Sequence, residues 1–168
     1  MNANALPLPS RLGFFAFVAS GALLLGALYF QYAMGLPPCD LCHLQRYPHI
    51  VTVVAGLGAL VCYRNQRLAL ALVIVAIGGL IATSAIGVYH AGVEYKWWLG
   101  PQTCTGNMPT GLSVEELKKY LFGKKMVRCD EIPWAMWGIS MAGWNAAISA
   151  GCASLLSLGV ANHLRGVK

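Results

Sequence analysis

Four apolar runs, each about long enough to cross a membrane as a helix, dominate this chain. They extend from about Leu12 to Met34, Gln45 to Cys62, Leu68 to His90 and Trp137 to Asn162. A helix needs about 20 residues to cross a hydrocarbon core of about 30 Å. Lipid offers no hydrogen bonds, so each crossing segment must satisfy its own backbone, as a helix does. Only 11% of the residues are charged, against about 25% in soluble domains. Such a chain has too little polar surface to stay soluble as a monomer. The fold expected is all-α: one membrane domain over residues 1–168, a four-helix transmembrane bundle. Arg11 precedes a run too long for a signal-peptide core and lacking a clear small-residue cleavage site, so that run is expected to be retained as the first span.

The net charge of +6 raises nucleic acid as a partner. The basic residues are scattered at span ends and in one loop, without the stripe a nucleic-acid surface needs. They serve better to orient the chain. Arg11 flanks the first span, Arg64 and Arg67 occupy the turn between spans two and three, and Arg165 and Lys168 follow the fourth. These put both termini in the cytoplasm and the loops at about 35–44 and 91–136 outside. The long loop opposes this with Lys96, Lys118, Lys119, Lys124, Lys125 and Arg128, alongside five of the six acidic residues. Its two cysteines suit an oxidising compartment, which keeps it outside. Within it, Ser113 and Glu116 form a capping-box pattern, with Leu112 and Leu117 placed for a hydrophobic staple. A short amphipathic helix is expected from about Val114 to Phe122, ending at Gly123. It can lie on the membrane or pack on the rest of the loop.

Four cysteines fall in the two outer loops. Cys39 and Cys42 bracket Asp40 and Leu41, a spacing used by redox dithiols and by zinc sites. His43 and His49 are near, but an outward-facing thiol pair in an oxidising compartment tends towards a disulfide, so no metal is expected. A purely structural disulfide is the stronger rival. Pro48 is tolerated in a first helical turn, so the second helix is expected to begin shortly before it. That puts Cys42 at or just ahead of the helix N-terminus, where the dipole favours a thiolate. Arg46, four residues on, adds a cation, or snorkels to headgroups. A thiolate at membrane depth beside a cation suits a quinone, whose oxygens gain charge on reduction. Cys104 and Cys129 either brace their loop or exchange with a soluble partner. Gly100, Pro101, Gly106 and Pro109 keep the surroundings of Cys104 extended and exposed, as attack requires. Lys124, Lys125 and Arg128 are placed to lower the Cys129 pKa. Cys62 and Cys152 read as small apolar residues.

At this point the chain resembles the DsbB family of quinone-coupled disulfide oxidases. The residues that carry the resemblance are Cys39 to Arg46 (C-D-L-C-H-L-Q-R), Val88 to Glu94 (V-Y-H-A-G-V-E), Cys104, Cys129, and Pro133 to Asn145 (P-W-A-M-W-G-I-S-M-A-G-W-N). The resemblance implies a multi-pass protein of the bacterial inner membrane with its redox cysteines on the periplasmic side. It implies reoxidation of a periplasmic, thioredoxin-like oxidase of the DsbA type, with electrons passed to ubiquinone or menaquinone. By position, Cys104 would form the mixed disulfide with the partner. Cys129 would exchange with Cys39, Cys42 would engage the quinone, and Arg46 would support it. His90 would line the same pocket, and Glu94 would share its helix face if the third span reaches that far. Asp40 inside the motif departs from the best-known pattern and works against a thiolate by repulsion. The vitamin K epoxide reductase family also joins four helices, cysteine pairs and a quinone. Its quinone-facing pair comes late in the chain, whereas here it comes early. A structural four-span protein with bracing outer disulfides is the remaining alternative.

Overall fold

Apolar sequence becomes four long helices in the computed structural model, which describes residues 6–101, 113–115 and 128–166. These are α1 (Leu8–Tyr32), α2 (Asp40–Val61), α3 (Gln66–Glu94) and α4 (Met141–Gly166), with β1 (Ala135–Met136) and β2 (Ile139–Ser140) just before the last. Cys104, Lys118, Lys119, Lys124 and Lys125 lie outside the described residues. Of the expected 114–122 helix only Val114 and Glu115 are described, and both are helical.

Helices α1, α3 and α4 are each long and apolar enough to cross a membrane. The chain is a helical membrane protein. α2 is 22 residues long and carries more polar side chains, but it packs between α1 and α3, while α4 packs mainly on α3. Lipid tails are as apolar as leucine, so helices in a membrane associate through close packing of small residues. The crossings here follow that rule. A Cβ on Gly56 would meet the Gly13 carbonyl and the Phe17 nitrogen of α1, each at 2.7 Å. A Cβ on Gly87 of α3 would meet Ala146 of α4 at 3.0 Å. The central cluster is correspondingly small: Ala16, Ala55, Ala76 and Ala153 surround Leu80 and Leu156.

Two local features differ from the sequence reading. Pro48 does not mark the start of α2. The helix begins at Asp40, and Pro48 sits inside it. Proline removes one helical hydrogen bond and disturbs the carbonyls a turn before it. Neighbouring hydroxyls serve this stretch: Thr83 of α3 donates to the Gln45 carbonyl at 3.1 Å, and Thr52 to the Pro48 carbonyl at 3.0 Å. Helix α4 does not start at Trp137. Residues 135–140 form an antiparallel hairpin pairing Ala135 with Ser140 and Met136 with Ile139. Its two-residue turn has φ of 52° at Trp137 and 76° at Gly138, the positive pair that a type I′ turn demands. The Trp144 indole donates to the Met136 carbonyl at 3.2 Å and ties this hairpin to α4.

Candidate functional site

Cys39 is the N-cap of α2, and its sulfur accepts the backbone N–H of Cys42 at 3.3 Å. A cysteine thus takes the place that Ser or Asp usually holds at a helix start. Cys42 falls at the third helical position, where free N–H groups and the dipole favour negative charge. The two sulfurs lie 2.8 Å apart, unbonded. Both precede the stretch from residue 45 that was read as lipid-crossing. Cys129, at 0% exposure, packs against Cys39 together with Leu41 and Val93, and Cys42 flanks the cluster. Three of the four candidate cysteines therefore meet at one point.

The sulfurs are not equivalent. Its contacts with Cys129 and Cys42, reinforced by burial, hold the Cys39 thiol far above the ordinary cysteine value. Its contact with Cys39, opposed by burial, pulls Cys42 below that value. Of the two thiols of the reduced pair, Cys42 is therefore the more acidic.

His90 is buried beside them. Its Nε2 is 3.5 Å from Cys39 Sγ and 3.8 Å from Glu94 Oε1. Behind it runs a polar chain that the sequence reading missed. Gln45 Nε2 lies 2.7 Å from His90 Nδ1, and Asn145 Nδ2 donates to Gln45 Oε1 at 2.7 Å. His49 Nε2 is 2.8 Å from Asn145 Oδ1, and His49 Nδ1 is 3.1 Å from Ser20 Oγ. One proton arrangement satisfies every link. The Gln45 amide donates to His90 Nδ1, which puts the ring's own N–H on Nε2, facing Cys39 and Glu94. The signal available in the sequence was polar residues inside otherwise apolar spans, where a buried polar group needs a partner.

A cavity of about 460 Å³ opens beside Cys42. Leu23, Ala27 and Phe30 of α1 and Trp134, Met141 and Trp144 give it apolar and aromatic walls, while Arg46, His90 and Glu94 supply polar groups. Arg46 donates to Gln31 Oε1 of α1 at 2.6 Å, which fixes its guanidinium at the cavity. Phe30 and Trp134 pack with ring centroids 5.0 Å apart. An apolar slot with a thiolate and a cation at one end fits a flat quinone ring with polar oxygens.

Cys39 Sγ, Cys42 Sγ and a His90 nitrogen lie within 4.8 Å of one another. Zinc takes four ligands in structural sites. Of the histidines named with zinc in view, His43 is exposed and His49 is engaged by Ser20 and Asn145. Arg128 also departs from expectation. Its guanidinium turns to Asp130, at 2.9 and 2.8 Å, and to Glu131 at 3.3 Å, rather than to Cys129. Lys96, at φ 62°, reaches Asp130 from the other side at 2.7 Å. Arg128, then Lys96, hold the Asp130 carboxyl well below the usual carboxylate range. These charges anchor the Cys129 segment.

A helical membrane bundle with a dithiol at a helix N-terminus, a third cysteine against it and an apolar cavity alongside defines a membrane thiol–disulfide oxidoreductase. The comparisons agree. The family model "Disulfide bond formation protein DsbB" matches residues 9–159. "Disulfide bond formation protein B" of Polaromonas sp. strain JS666 is 31% identical, covering 82% of both chains. "Disulfide bond formation protein B 2" of Pseudomonas aeruginosa PAO1 is 32% identical over 94% of both. No solved structure matches. This chain belongs to the DsbB family, and it is a disulfide oxidoreductase that supports disulfide formation and passes electrons to a quinone.

Proposed function

We propose that the chain reoxidises a periplasmic, thioredoxin-like dithiol oxidase of the DsbA type and delivers the electrons to ubiquinone or menaquinone in the bacterial inner membrane. Both termini are cytoplasmic, and the redox cysteines face the periplasm. The partner's thiolate attacks the Cys104–Cys129 disulfide at Cys104 and frees Cys129. The Cys129 thiolate attacks Cys39 and releases Cys42 as a thiolate. The partner's second thiol then breaks its mixed disulfide with Cys104. The freed Cys104 thiolate attacks Cys129, which re-forms the Cys104–Cys129 disulfide and returns Cys39 as a thiol. Helix-terminal N–H groups and Arg46 stabilise charge at Cys42 and in the adjoining cavity. A quinone held there by the apolar walls and Arg46 would accept the two electrons and two protons of the Cys39–Cys42 dithiol. Apolar walls keep water from Cys42, and closure of the Cys39–Cys42 bond resets the site.

The observation that carries this reading is the burial of Cys129 against Cys39, with Cys42 opening onto the Arg46 cavity. Exchange between the two pairs then needs no rearrangement of the helices. The test is Cys104→Ser. This variant should lose turnover of the soluble partner, while its Cys39–Cys42 pair remains oxidisable by added quinone. A variant that still turns over the partner contradicts the order of exchange.

A further inference from the structure

The exchange route leaves one buried acid without a task. Glu94 ends α3, is 5% exposed, and has an Oε2 with no hydrogen-bond partner among the described residues. A carboxyl hidden from water and left half-satisfied is costly to keep. It lines the same cavity as Cys42 and follows Val93, which packs on Cys39 and Cys129. α3 has 29 residues, roughly 9 more than a hydrocarbon core requires, so its last turn reaches the level of the cysteines.

The charges around Glu94 can be enumerated. From α2 come Cys39, Cys42 and Arg46, with His49 deeper in the same cavity. From α3 comes His90, its Nε2 at 3.8 Å. Cys129 and the Ser140 hydroxyl approach from the segment before α4. The cavity residues from α1 and α4 bring no titratable group. The Arg46 guanidinium is bonded to Gln31, and the His90 ring is held neutral by the Gln45 amide at its Nδ1. When Cys42 becomes a thiolate, Glu94 therefore gains a like charge, and among the described residues no cation is paired to it. Two such anions in a site of low dielectric do not both stay ionised.

We propose that Glu94 stores the second proton of the reduced site. This rests on the quinone-coupled reading above. The reduced site then holds Cys39–SH, Cys42–S⁻ and Glu94–COOH. As the Cys39–Cys42 bond forms, two electrons leave for the quinone. Glu94 gives up its proton to one quinone oxygen, takes the proton of Cys39, and passes that to the other. The products are the disulfide, Glu94 carboxylate and quinol, with charge and protons balanced. The next dithiol from the partner brings two protons: one returns to Cys39 and one to Glu94. The His90 Nε2–H lies between Cys39 Sγ and Glu94, placed to serve the Glu94 carboxylate once its proton has left.

Infrared difference spectroscopy of the full-length protein, freed of quinone, tests this without turnover. Chemical reduction of the Cys39–Cys42 pair should produce the C=O band of a carboxylic acid, and reoxidation should remove it. Glu94→Gln should lack the band, and Glu94→Asp should shift it. Glu94→Gln should also slow quinone-dependent reoxidation by about 100-fold, in the range of a lost proton-transfer group, with Cys42 still alkylated as a thiolate. No band on reduction, or a band that neither substitution alters, overturns the proposal. If Glu94→Gln does not assemble, the Glu94→Asp spectrum decides alone. The band is read without quinone, so a protein that shows it yet fails to reduce quinone disproves the acceptor and leaves the proton store standing.

Discussion

Single residues decide how the redox loop is held. Asp130 binds Lys96 and Arg128 side chains and lies next to Cys129. Its depressed acidity fixes the sign of the pH effect. The stabilisation is present above the ordinary carboxylate value of about 4, and it is lost as pH falls through the lower folded value. Lys96 is largely exposed, so salt screens part of it. Asp130→Asn should raise hydrogen exchange of residues 128–132 at neutral pH, and wild type should show the same loosening only in strong acid. Equal exchange in the two proteins at neutral pH contradicts the anchor. At this scale the sequence was read unevenly. Cys39, Cys42 and Arg46 stand in one contiguous stretch, so local helix geometry brought them together on paper. Gln45, His49 and Asn145 were opaque, because their partners lie up to 100 residues away. The pairing of Arg128 with Asp130 was not read, because the adjacent Cys129 drew attention from the carboxylate two residues on.

Elements meet through glycine. Gly13 and Gly56 let α1 and α2 approach until backbone touches backbone. This contact positions Arg46 of α2 against Gln31 of α1 and gives the cavity two of its walls. Gly56→Val should destabilise the bundle by roughly 1–3 kcal/mol, the usual cost of overpacking, measured by thermal unfolding in detergent. An unchanged melting temperature contradicts the close crossing. The four helices were legible as elements because long apolar runs favour helix, and three of them, α1, α3 and α4, are long and apolar enough to cross a membrane. Their ends were less so. Pro48 suggested a later start to α2 because the rule against interior proline assumes a backbone with no other donors nearby, whereas Thr83 of α3 donates to the Gln45 carbonyl in the turn before Pro48. The hairpin before α4 escaped notice because Trp137 at positive φ is an unusual partner for Gly138, and its flanking strands are only two residues each.

For the whole molecule, the bundle brings a helix N-terminus, a buried thiol from a distant loop and an apolar cavity to one level of the membrane. In the proposed route, electrons pass from a water-soluble dithiol to a lipid-soluble acceptor without crossing the protein. Cys42 is the junction: it contacts Cys39 and lines the cavity that Arg46, His90 and Glu94 share. The most direct test is quinone-dependent oxidation of a reduced thioredoxin-like partner by the purified protein in detergent, followed optically, with Cys42→Ser as the comparison. The account predicts sustained quinone reduction by wild type and none by Cys42→Ser. Quinone reduction that survives in Cys42→Ser, or is missing from a wild type with both outer cysteine pairs intact, would contradict it.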